Sequence, residues 1–237
     1  MPNLPSPASS SPTRASRSAD AARQARAALS RASRRAVMAA AVALGASFLM
    51  GTAAHAAPAV GQKAPDFVAV DTTGKQHRLS DFAGKFVVLE WTNPGCPFVR
   101  KHYGSGNMPA TQKAATAKGA VWLSVNSTER AASDYLKPAA LDGWMQQQGA
   151  APTAVLMDED GVIGQAYGAR TTPHLFIIDP KGMLVYAGGI DSIASARPDD
   201  IPRATNYVNQ ALGEAFGGKP LSAAATRPYG CSIKYKA

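Results

Sequence analysis

One side chain of this sequence stands in a context that favours covalent chemistry: Cys96, which follows the corner Pro94-Gly95 at the end of an apolar segment. Pro97 comes next, and proline is tolerated at the first helical position because the N–H there has no partner. The pattern therefore places Cys96 at the N-cap of a helix. There the unpaired backbone N–H groups, the helix dipole and the nearby Arg100 lower a thiol pKa. We predict a reactive thiolate at Cys96, in preference to an inert core cysteine.

Cys231 is the only other cysteine of the chain. A redox cycle closed within the protein would therefore have to join Cys231 to Cys96. The sequence contains no CxxC pair, and the spacing from Cys96 to His102 is not one that typifies zinc sites. We accordingly predict no metal site and no cofactor.

The N-terminal segment predicts export. Residues 1–35 carry seven arginines against one aspartate, a composition that cannot bury enough apolar surface to fold. Residues 36–50 form an uncharged apolar run that is short for a membrane span, and Ala54-His55-Ala56 has the small-x-small pattern of a cleavage site. We predict a signal peptide over residues 1–56, with Arg34-Arg35 resembling the twin-arginine export signal. An ordinary secretory signal and, less favoured, an uncleaved anchor are the alternatives.

Cleavage after Ala56 would leave one domain in the periplasm or another extracytoplasmic compartment, with no stable membrane association. Because the seven arginines and one aspartate of residues 1–56 account for most of the net charge of +9, the remainder carries 18 basic and 15 acidic side chains, a net charge of +3. A mild excess without a basic stripe does not support nucleic-acid binding. Both cysteines lie in the exported part, and cysteines in an oxidising compartment tend to pair.

The elements that must position these residues follow from hydrophobic patterning. An apolar strand over 86–92, a helix from Pro97 toward residue 117 that is loosened near residues 104–106, and a second apolar strand over 121–125 predict parallel neighbours. The other predicted elements are an N-terminal hairpin (60–81), a partly helical insertion (128–149), a strand (153–157), a short helix (162–167), a hairpin (174–187) and a helix (201–216). Residues 217–237 are predicted to form a tail rich in Gly, Pro and Ala.

Four motifs spread over residues 60–215 go together: APDF followed by DxxG, the strand and loop before Cys96, Thr172-Pro173 before a strand, and the hairpin DPKGxLVYAG. Their order resembles the thioredoxin-like superfamily, and within it the peroxiredoxin-like redoxin branch (alkyl hydroperoxide reductase and thiol-specific antioxidant). The resemblance implies an α/β fold over residues 57–216, with a central mixed sheet flanked by helices. It also implies a cis peptide bond at Thr172-Pro173 beside Cys96.

Departures from the family patterns limit the reactions that the sequence supports. Thioredoxins carry a CxxC pair, but Val99 stands at the second cysteine, which excludes dithiol exchange within one loop. Peroxiredoxins have a threonine three residues before the reactive cysteine and a proline four residues earlier. Asn93 and Leu89 stand at those positions, so the typical peroxide pocket is not reproduced. The copper-chaperone branch needs two cysteines three residues apart and is not supported.

The resemblance adds further candidates around Cys96. Glu90 lies where thioredoxins keep a buried acid, which implies a proton relay to the thiol, although a solvent-facing strand glutamate is equally supported. Arg100 and Arg170 compete for the role of a cation that stabilises the thiolate or polarises a bound substrate, with a solvated surface charge as the alternative for each. His174 is a better candidate base than His102, because it follows the predicted cis-proline loop. The residues expected to contact substrate are Asn93, Pro94, Gly95, Arg170, Thr172, Pro173 and His174.

Three hypotheses follow. The leading one is an exported thiol peroxidase in which Cys96 is oxidised to a sulfenic acid by a peroxide and Cys231 condenses with it to a disulfide. The second is a thiol-disulfide oxidoreductase that acts on disulfide substrates through the same pair. The third is a non-catalytic binding module in which Cys96 and Cys231 form a permanent staple. Both enzyme readings require an external thiol reductant, which the sequence does not identify.

Overall fold

A computed structural model describes residues 57–236 of the chain, so the predicted signal peptide lies outside the described residues. The described part contains a seven-stranded mixed sheet in the order β2-β1-β5-β4-β3-β7-β8. Its strands are β1 (Val68–Asp71), β2 (Gln76–Arg78), β3 (Val87–Trp91), β4 (Val121–Asn126), β5 (Ala154–Met157), β7 (His174–Ile178) and β8 (Leu184–Gly188). The α/β class with a central mixed sheet is confirmed.

The centre of the sheet follows the apolar runs of the sequence. Strand β3 pairs in parallel with β4 and antiparallel with β7, and all of its residues are buried. Because successive side chains of a strand point to opposite faces, Val88 and Glu90 lie on one face, while Leu89 and Trp91 lie on the other. Two separate hydrophobic clusters cover these faces, one containing Val88 and Cys96 and the other containing Leu89 and Trp91.

The helices are α1 (Pro97–Gly104), α2 (Asn107–Ala117), α3 (Pro138–Gln147), α4 (Val162–Tyr167) and α5 (Tyr207–Phe216). The predicted break near residues 104–106 is confirmed, since Gly106 adopts the left-handed conformation with φ of 77° and caps α2. Glycine populates that region without the steric cost that a Cβ atom would add. The break separates α1 from α2.

The helix predicted over residues 201–216 is shorter in the structure. A 3-10 helix spans Pro198–Arg203, and α5 begins only at Tyr207. The side chain of Asn206 accepts a hydrogen bond from the backbone N–H of Asn209 at 3.0 Å, which is the geometry of an N-cap. The apolar spacing correctly predicts the helix α5, but the helix begins at Tyr207 because Asn206 is its N-cap.

The C-terminal tail, residues 217–236 in the structure, packs along the domain. Strand β9 (Cys231–Ser232) pairs antiparallel with the two-residue strand β6 (Thr171–Thr172). Farther along, the N–H of Ile233 donates to the carbonyl of Arg170 at 3.0 Å. Neither short strand is visible in the sequence pattern, because two residues carry no periodicity. The tail thus reaches the loop that the motifs associate with Cys96.

Within residues 57–236, no helix combines the length and the apolar character that crossing a bilayer requires.

Candidate functional site

Cys96 is the N-cap of α1, as predicted, with extended backbone angles (φ −82°, ψ 124°) and proline at the first helical position. Its N–H donates to the carbonyl of Asn93 at 3.0 Å. Its thiol donates to the carbonyl of Thr172 at 3.1 Å. Only 2% of the residue is exposed to solvent. The sulfur is therefore held between the start of α1 and the loop at Thr172.

The second cysteine lies against the first. Cys231 is the register partner of Thr172 in the β6–β9 pair, and the carbonyl of Thr172 accepts the hydrogen bond from the Cys96 thiol. The peptide bond Thr172-Pro173 is cis, as the family resemblance implies. Both cysteines carry free thiols in this structure. The tail thus brings the two thiols together across a large sequence separation.

The two thiols differ in acidity. Burial alone would raise the pKa of Cys96, but hydrogen bonds with the side chains of Cys231 and Thr172 and with the backbone of Val99 outweigh it, so the pKa lies below the ordinary value of 9.0. Burial raises the pKa of Cys231 to about 12, and the hydrogen bond to Cys96 and the negative charge there act in the same direction. Cys96 is therefore the more acidic thiol of the pair.

Asn93 braces the loop before Cys96. Its amide nitrogen donates to Thr128 Oγ1 and to Asp134 Oδ2, each at 3.0 Å, and its amide oxygen accepts from the N–H of Gly95 at 2.7 Å. A Cβ atom at Gly95 would lie 2.8 Å from Asp134, so the loop is packed closely there. Pro94 is buried and Gly95 is exposed. Neither Thr128 nor Asp134 was singled out from the sequence, because nothing in its pattern marks them.

Neither arginine candidate is hydrogen-bonded to a thiol. The Arg100 side chain is exposed, and its Nε donates to the carbonyl of Pro94 at 2.7 Å, so it supports the same loop as Asn93. Arg170 is exposed, and its backbone N–H donates to Nδ1 of His174 at 3.3 Å. Contact of either guanidinium with a substrate stays a prediction.

Glu90 is fully buried, which decides between the two readings of this residue. Its carboxyl accepts hydrogen bonds from Tyr103 at 2.7 Å, Trp122 at 2.8 Å, and both Gln112 and Ser124 at 3.0 Å. Burial raises the pKa of Glu90 above its ordinary value, and these four donors oppose that effect only in part. A proton relay to Cys96 stays a prediction, because the donors on the carboxyl come from other residues.

His174 lies on the other side of the sheet from Cys96, which corrects the expectation that it enters the site. Its register partner is Trp91, and its ring packs against Phe176 with centroids 4.4 Å apart. Strand alternation explains the error, since the residue after Pro173 points away from α1. Burial, and secondarily the charge of Arg170, lower the pKa of His174 to about 4, so the ring is neutral at physiological pH.

The sequence reading missed a buried polar network beside Cys96. Lys101 and His102 of α1 approach Asp191 in the loop after β8, and Tyr229 of the tail joins them. Lys101, His102 and Asp191 are each at most 3% exposed. The signal that could have found them is a Lys-His pair within a helix whose apolar face must be buried. Among the described residues, no group of three or more His, Cys, Asp or Glu side chains is placed to hold a metal ion.

The fold is shared with solved structures. A hypothetical protein of Sinorhizobium meliloti 1021 matches with a TM-score of 0.68 and 24% identity, over 77% of this chain and 97% of that one. An uncharacterized conserved protein of Geobacillus kaustophilus matches with a TM-score of 0.66 and 26% identity, over 75% and 93%. Both alignments cover most of the described residues, which supports the architecture as a whole.

Sequence comparison gives the family. The model of the AhpC/TSA family matches residues 60–187, which is more than half of the chain. The thiol-disulfide oxidoreductase ResA of Geobacillus thermodenitrificans is 32% identical over 133 residues, covering 53% of this chain and 67% of its own length. The oxidoreductase class that the motifs imply agrees with this relative. The chain therefore belongs to the AhpC/TSA family, in the redoxin branch of the thioredoxin-like superfamily.

Proposed function

We propose that the protein is a thiol-disulfide oxidoreductase in which Cys96 attacks a disulfide substrate and Cys231 resolves the mixed disulfide. The observation that carries this proposal is the position of Cys231 opposite Thr172, whose carbonyl accepts the hydrogen bond from the Cys96 thiol. The pKa of Cys96 is lowered and that of Cys231 is raised. The lowered pKa favours Cys96 as the first nucleophile, and the raised pKa keeps Cys231 protonated until Cys96 is in a mixed disulfide. The similarity to a thiol-disulfide oxidoreductase supports this substrate class over peroxides.

In the first step, the Cys96 thiolate attacks one sulfur of a substrate disulfide. A bond forms between Cys96 and that sulfur, the substrate S–S bond breaks, and the other substrate sulfur leaves as a thiolate that takes up a proton from solvent. The Cys96 thiolate is available because its hydrogen bonds offset the cost of burying the charge. The product of this step is a mixed disulfide at Cys96.

In the second step, Cys231 attacks the Cys96 sulfur and expels the remaining substrate thiolate. Two of the causes that raise the pKa of Cys231, the hydrogen bond to Cys96 and the charge of its thiolate, disappear once Cys96 is in a mixed disulfide. Cys231 therefore becomes easier to deprotonate when it is needed. The protein ends with a Cys96–Cys231 disulfide and the substrate with two thiols, and an external dithiol returns the two electrons.

The peroxide reading has weaker support. The amide of Asn93, which replaces the peroxiredoxin threonine, is committed to Thr128, Asp134 and Gly95. The Arg100 Nε is bound to the Pro94 carbonyl. The Asn93 amide and the Arg100 Nε are thus already engaged within the loop before Cys96. Peroxide reduction is retained as an outcome of the test.

Substrate and reductant would meet the protein outside the cytoplasm if residues 1–56 act as the export signal that their composition predicts. This location fits a chain with two cysteines, because a cysteine pair can cycle through a disulfide where the surroundings are oxidising. Peptide, protein and small-molecule disulfides are all compatible with the chemistry, as is an unidentified thiol reductant.

The test exposes the reduced protein to glutathione disulfide or to hydrogen peroxide in parallel and follows intact mass. With Cys231→Ser, we expect glutathione to stay attached to Cys96, whereas wild type passes on to an intramolecular disulfide. Rapid sulfenic acid formation with peroxide, together with no adduct from glutathione disulfide, would favour the peroxidase reading. A large loss of stability on reduction of oxidised wild type, without turnover of either substrate, would favour the structural staple.

A further inference from the structure

The tail buries the sulfur that is proposed to react. Cys96 is 2% exposed, and Tyr229 and Cys231 of the tail pack against the hydrophobic cluster that contains it. A substrate disulfide must approach the attacking sulfur along the axis of its own S–S bond. The docked tail leaves no room for that approach, so the segment around residue 231 has to move before the first step and return before the second.

Tyr229 is the point where the tail is fastened to α1. Its hydroxyl donates to Asp191 Oδ1 and lies 3.0 Å from Nε2 of His102. Its ring meets the ring of Phe98 with centroids 5.8 Å apart. The cation of Lys101 lies 5.7 Å from the centre of the same ring. Contacts with Phe98, Lys101 and His102 thus join Tyr229 to α1, the helix that Cys96 caps.

The hydrogen bonds around Tyr229 form a chain in which Asn107 donates to His102, His102 to Tyr229, and Tyr229 to Asp191. Asn107 donates to Nδ1 of His102 at 2.8 Å, so Nε2 carries the proton and donates to the Tyr229 oxygen. The Tyr229 proton is then free for Asp191, whose second oxygen accepts from Lys101 at 3.3 Å. Each polar group has a partner, and the Tyr229 hydroxyl is the only one that belongs to the tail. Removing that hydroxyl therefore weakens the tail without removing a buried charge.

The backbone after Tyr229 is fitted closely to the loop at Thr172. Gly230 has φ of 136°, and a Cβ atom there would lie 2.0 Å from the carbonyl oxygen of Thr172. Cys231 follows directly in register with Thr172. Tyr229 is thus two residues from the resolving thiol, with no flexible linker between the anchor and the sulfur that it places.

We propose that Tyr229 is a positioning residue: its hydroxyl, held by Asp191 and His102, fastens the tail over Cys96 and sets both how often that thiol is uncovered and how fast Cys231 reaches it. This inference rests on the proposed function for the resolving step alone. In that step Cys231 forms a bond to the Cys96 sulfur while the substrate thiolate leaves and takes a proton. The covering of Cys96 requires no assumption about the substrate.

The substitution Tyr229→Phe keeps the ring against Phe98 and deletes the hydroxyl. Tyr167→Phe is the matched control, because Tyr167 also donates through a buried hydroxyl, to the carbonyl of Pro65 at 2.7 Å, on the other face of the sheet. The first measurement is the rate at which iodoacetamide alkylates Cys96 in a Cys231→Ser background. It is made in the pH range where this rate no longer changes with pH, so that differences in the thiolate fraction do not affect it. The second is the lifetime of the glutathione mixed disulfide in the Cys231-containing protein.

We expect Tyr229→Phe to speed alkylation by about tenfold, the factor that corresponds to one hydrogen bond to a charged group, and to lengthen the mixed-disulfide lifetime by a similar factor. These opposite changes in the two steps are not expected from a general loss of stability, which Tyr167→Phe measures. Alkylation equal to that of the control would overturn the proposal.

If no Cys96–Cys231 disulfide forms in any variant, the proposed function fails, while the alkylation result still decides whether Tyr229 fastens the tail. If Tyr229→Phe does not fold, hydrogen exchange of the wild-type protein decides the same point. The exchange rates of the amides of residues 229–233 are compared with those of β6, the partner strand of β9. If the tail amides exchange only through global unfolding, the tail does not open separately and the proposal is refuted.

Discussion

Thr172 and Cys231 lie opposite each other in the antiparallel pair of β6 and β9, and the carbonyl of Thr172 also accepts the hydrogen bond from the Cys96 thiol. One backbone position therefore holds the proposed nucleophile on one side and the proposed resolving residue on the other. This arrangement makes the distance between the two thiols depend on the docking of the tail rather than on a loop such as CxxC.

Replacing Cys96 by serine should reduce the rate of disulfide reduction to background. Serine can still donate to Thr172, so we expect the free energy of unfolding to change by about 1 kcal/mol or less. The hydroxyl has no accessible anion near neutral pH, which removes the nucleophile. Turnover of glutathione disulfide and urea unfolding measure the two effects. Activity retained by a folded Cys96→Ser variant would place the reactive group elsewhere.

The Cys96 thiolate should form at lower pH in wild type than in Cys231→Ala. Hydrogen bonding with Cys231 is one of the causes that lower the pKa of Cys96, and removing a donor disfavours the charged form, so the pKa of Cys96 should rise. The pH dependence of alkylation gives the midpoint for both proteins. Identical midpoints would mean that the start of α1 and Thr172 account for the lowered pKa without Cys231.

Glu90→Ala should destabilise the fold by about 3 kcal/mol or more, since it removes the acceptor of four buried hydrogen bonds. Glu90→Gln should cost less, because its amide NH₂ group can donate to the Tyr103 oxygen while its carbonyl keeps the other donors. Urea unfolding of both variants tests this ranking. If the alanine variant is no less stable than the glutamine variant, the four hydrogen bonds do not have the expected strength.

His174→Gln should reduce the decrease in the free energy of unfolding that accompanies acidification. The pKa of His174 is about 4 in the folded protein, below its ordinary value of 6.5. Between these values the unfolded chain binds more protons, so stability falls as pH decreases from 6.5 to 4, by roughly 3 kcal/mol at most for this one group. Urea unfolding at pH 7 and at pH 4.5 should show a smaller difference for the variant than for wild type. An equal difference would indicate a histidine that titrates normally.

Gly230→Ala should push the tail away from the loop at Thr172, because the added Cβ atom would meet the Thr172 carbonyl and the backbone angle disfavours alanine. We expect slower formation of the Cys96–Cys231 disulfide and faster alkylation of Cys96. Gly182→Ala is a suitable control, since Gly182 also has a positive φ but lies in the β7–β8 turn with open space around it. Disulfide formation slowed equally by both substitutions would point to general destabilisation.

The sequence predicts the frame of the site well and its details less well. The position of Cys96 at a helix start follows from proline and glycine chemistry, and the sheet follows from apolar runs, because both are local signals. The face of the sheet on which His174 lies is also determined locally, by strand alternation. It depends on which residue begins the strand, because a shift of one residue moves every side chain to the opposite face. This explains why His174 was expected in the site and lies on the opposite face.

The tail and the network around Asp191 depend on contacts between distant segments. Nothing near Cys231 indicates that it pairs with Thr172, and Asp191 stands in a loop without a recognisable pattern. The expectation that Cys231 meets Cys96 came from the small number of cysteines rather than from any structural pattern. Long-range pairing of short segments is decided by the assembled fold, which composition and periodicity do not encode.

The most direct test of the central claim is peptide mapping of the protein equilibrated in glutathione buffers of graded redox poise. We predict that a Cys96–Cys231 disulfide peptide increases as the buffer becomes more oxidising, disappears reversibly with a dithiol, and is replaced in Cys231→Ala by glutathione bound to Cys96. If wild type shows no such peptide in any buffer, and instead keeps the same glutathione adduct as the variant, Cys96 and Cys231 are not a redox pair.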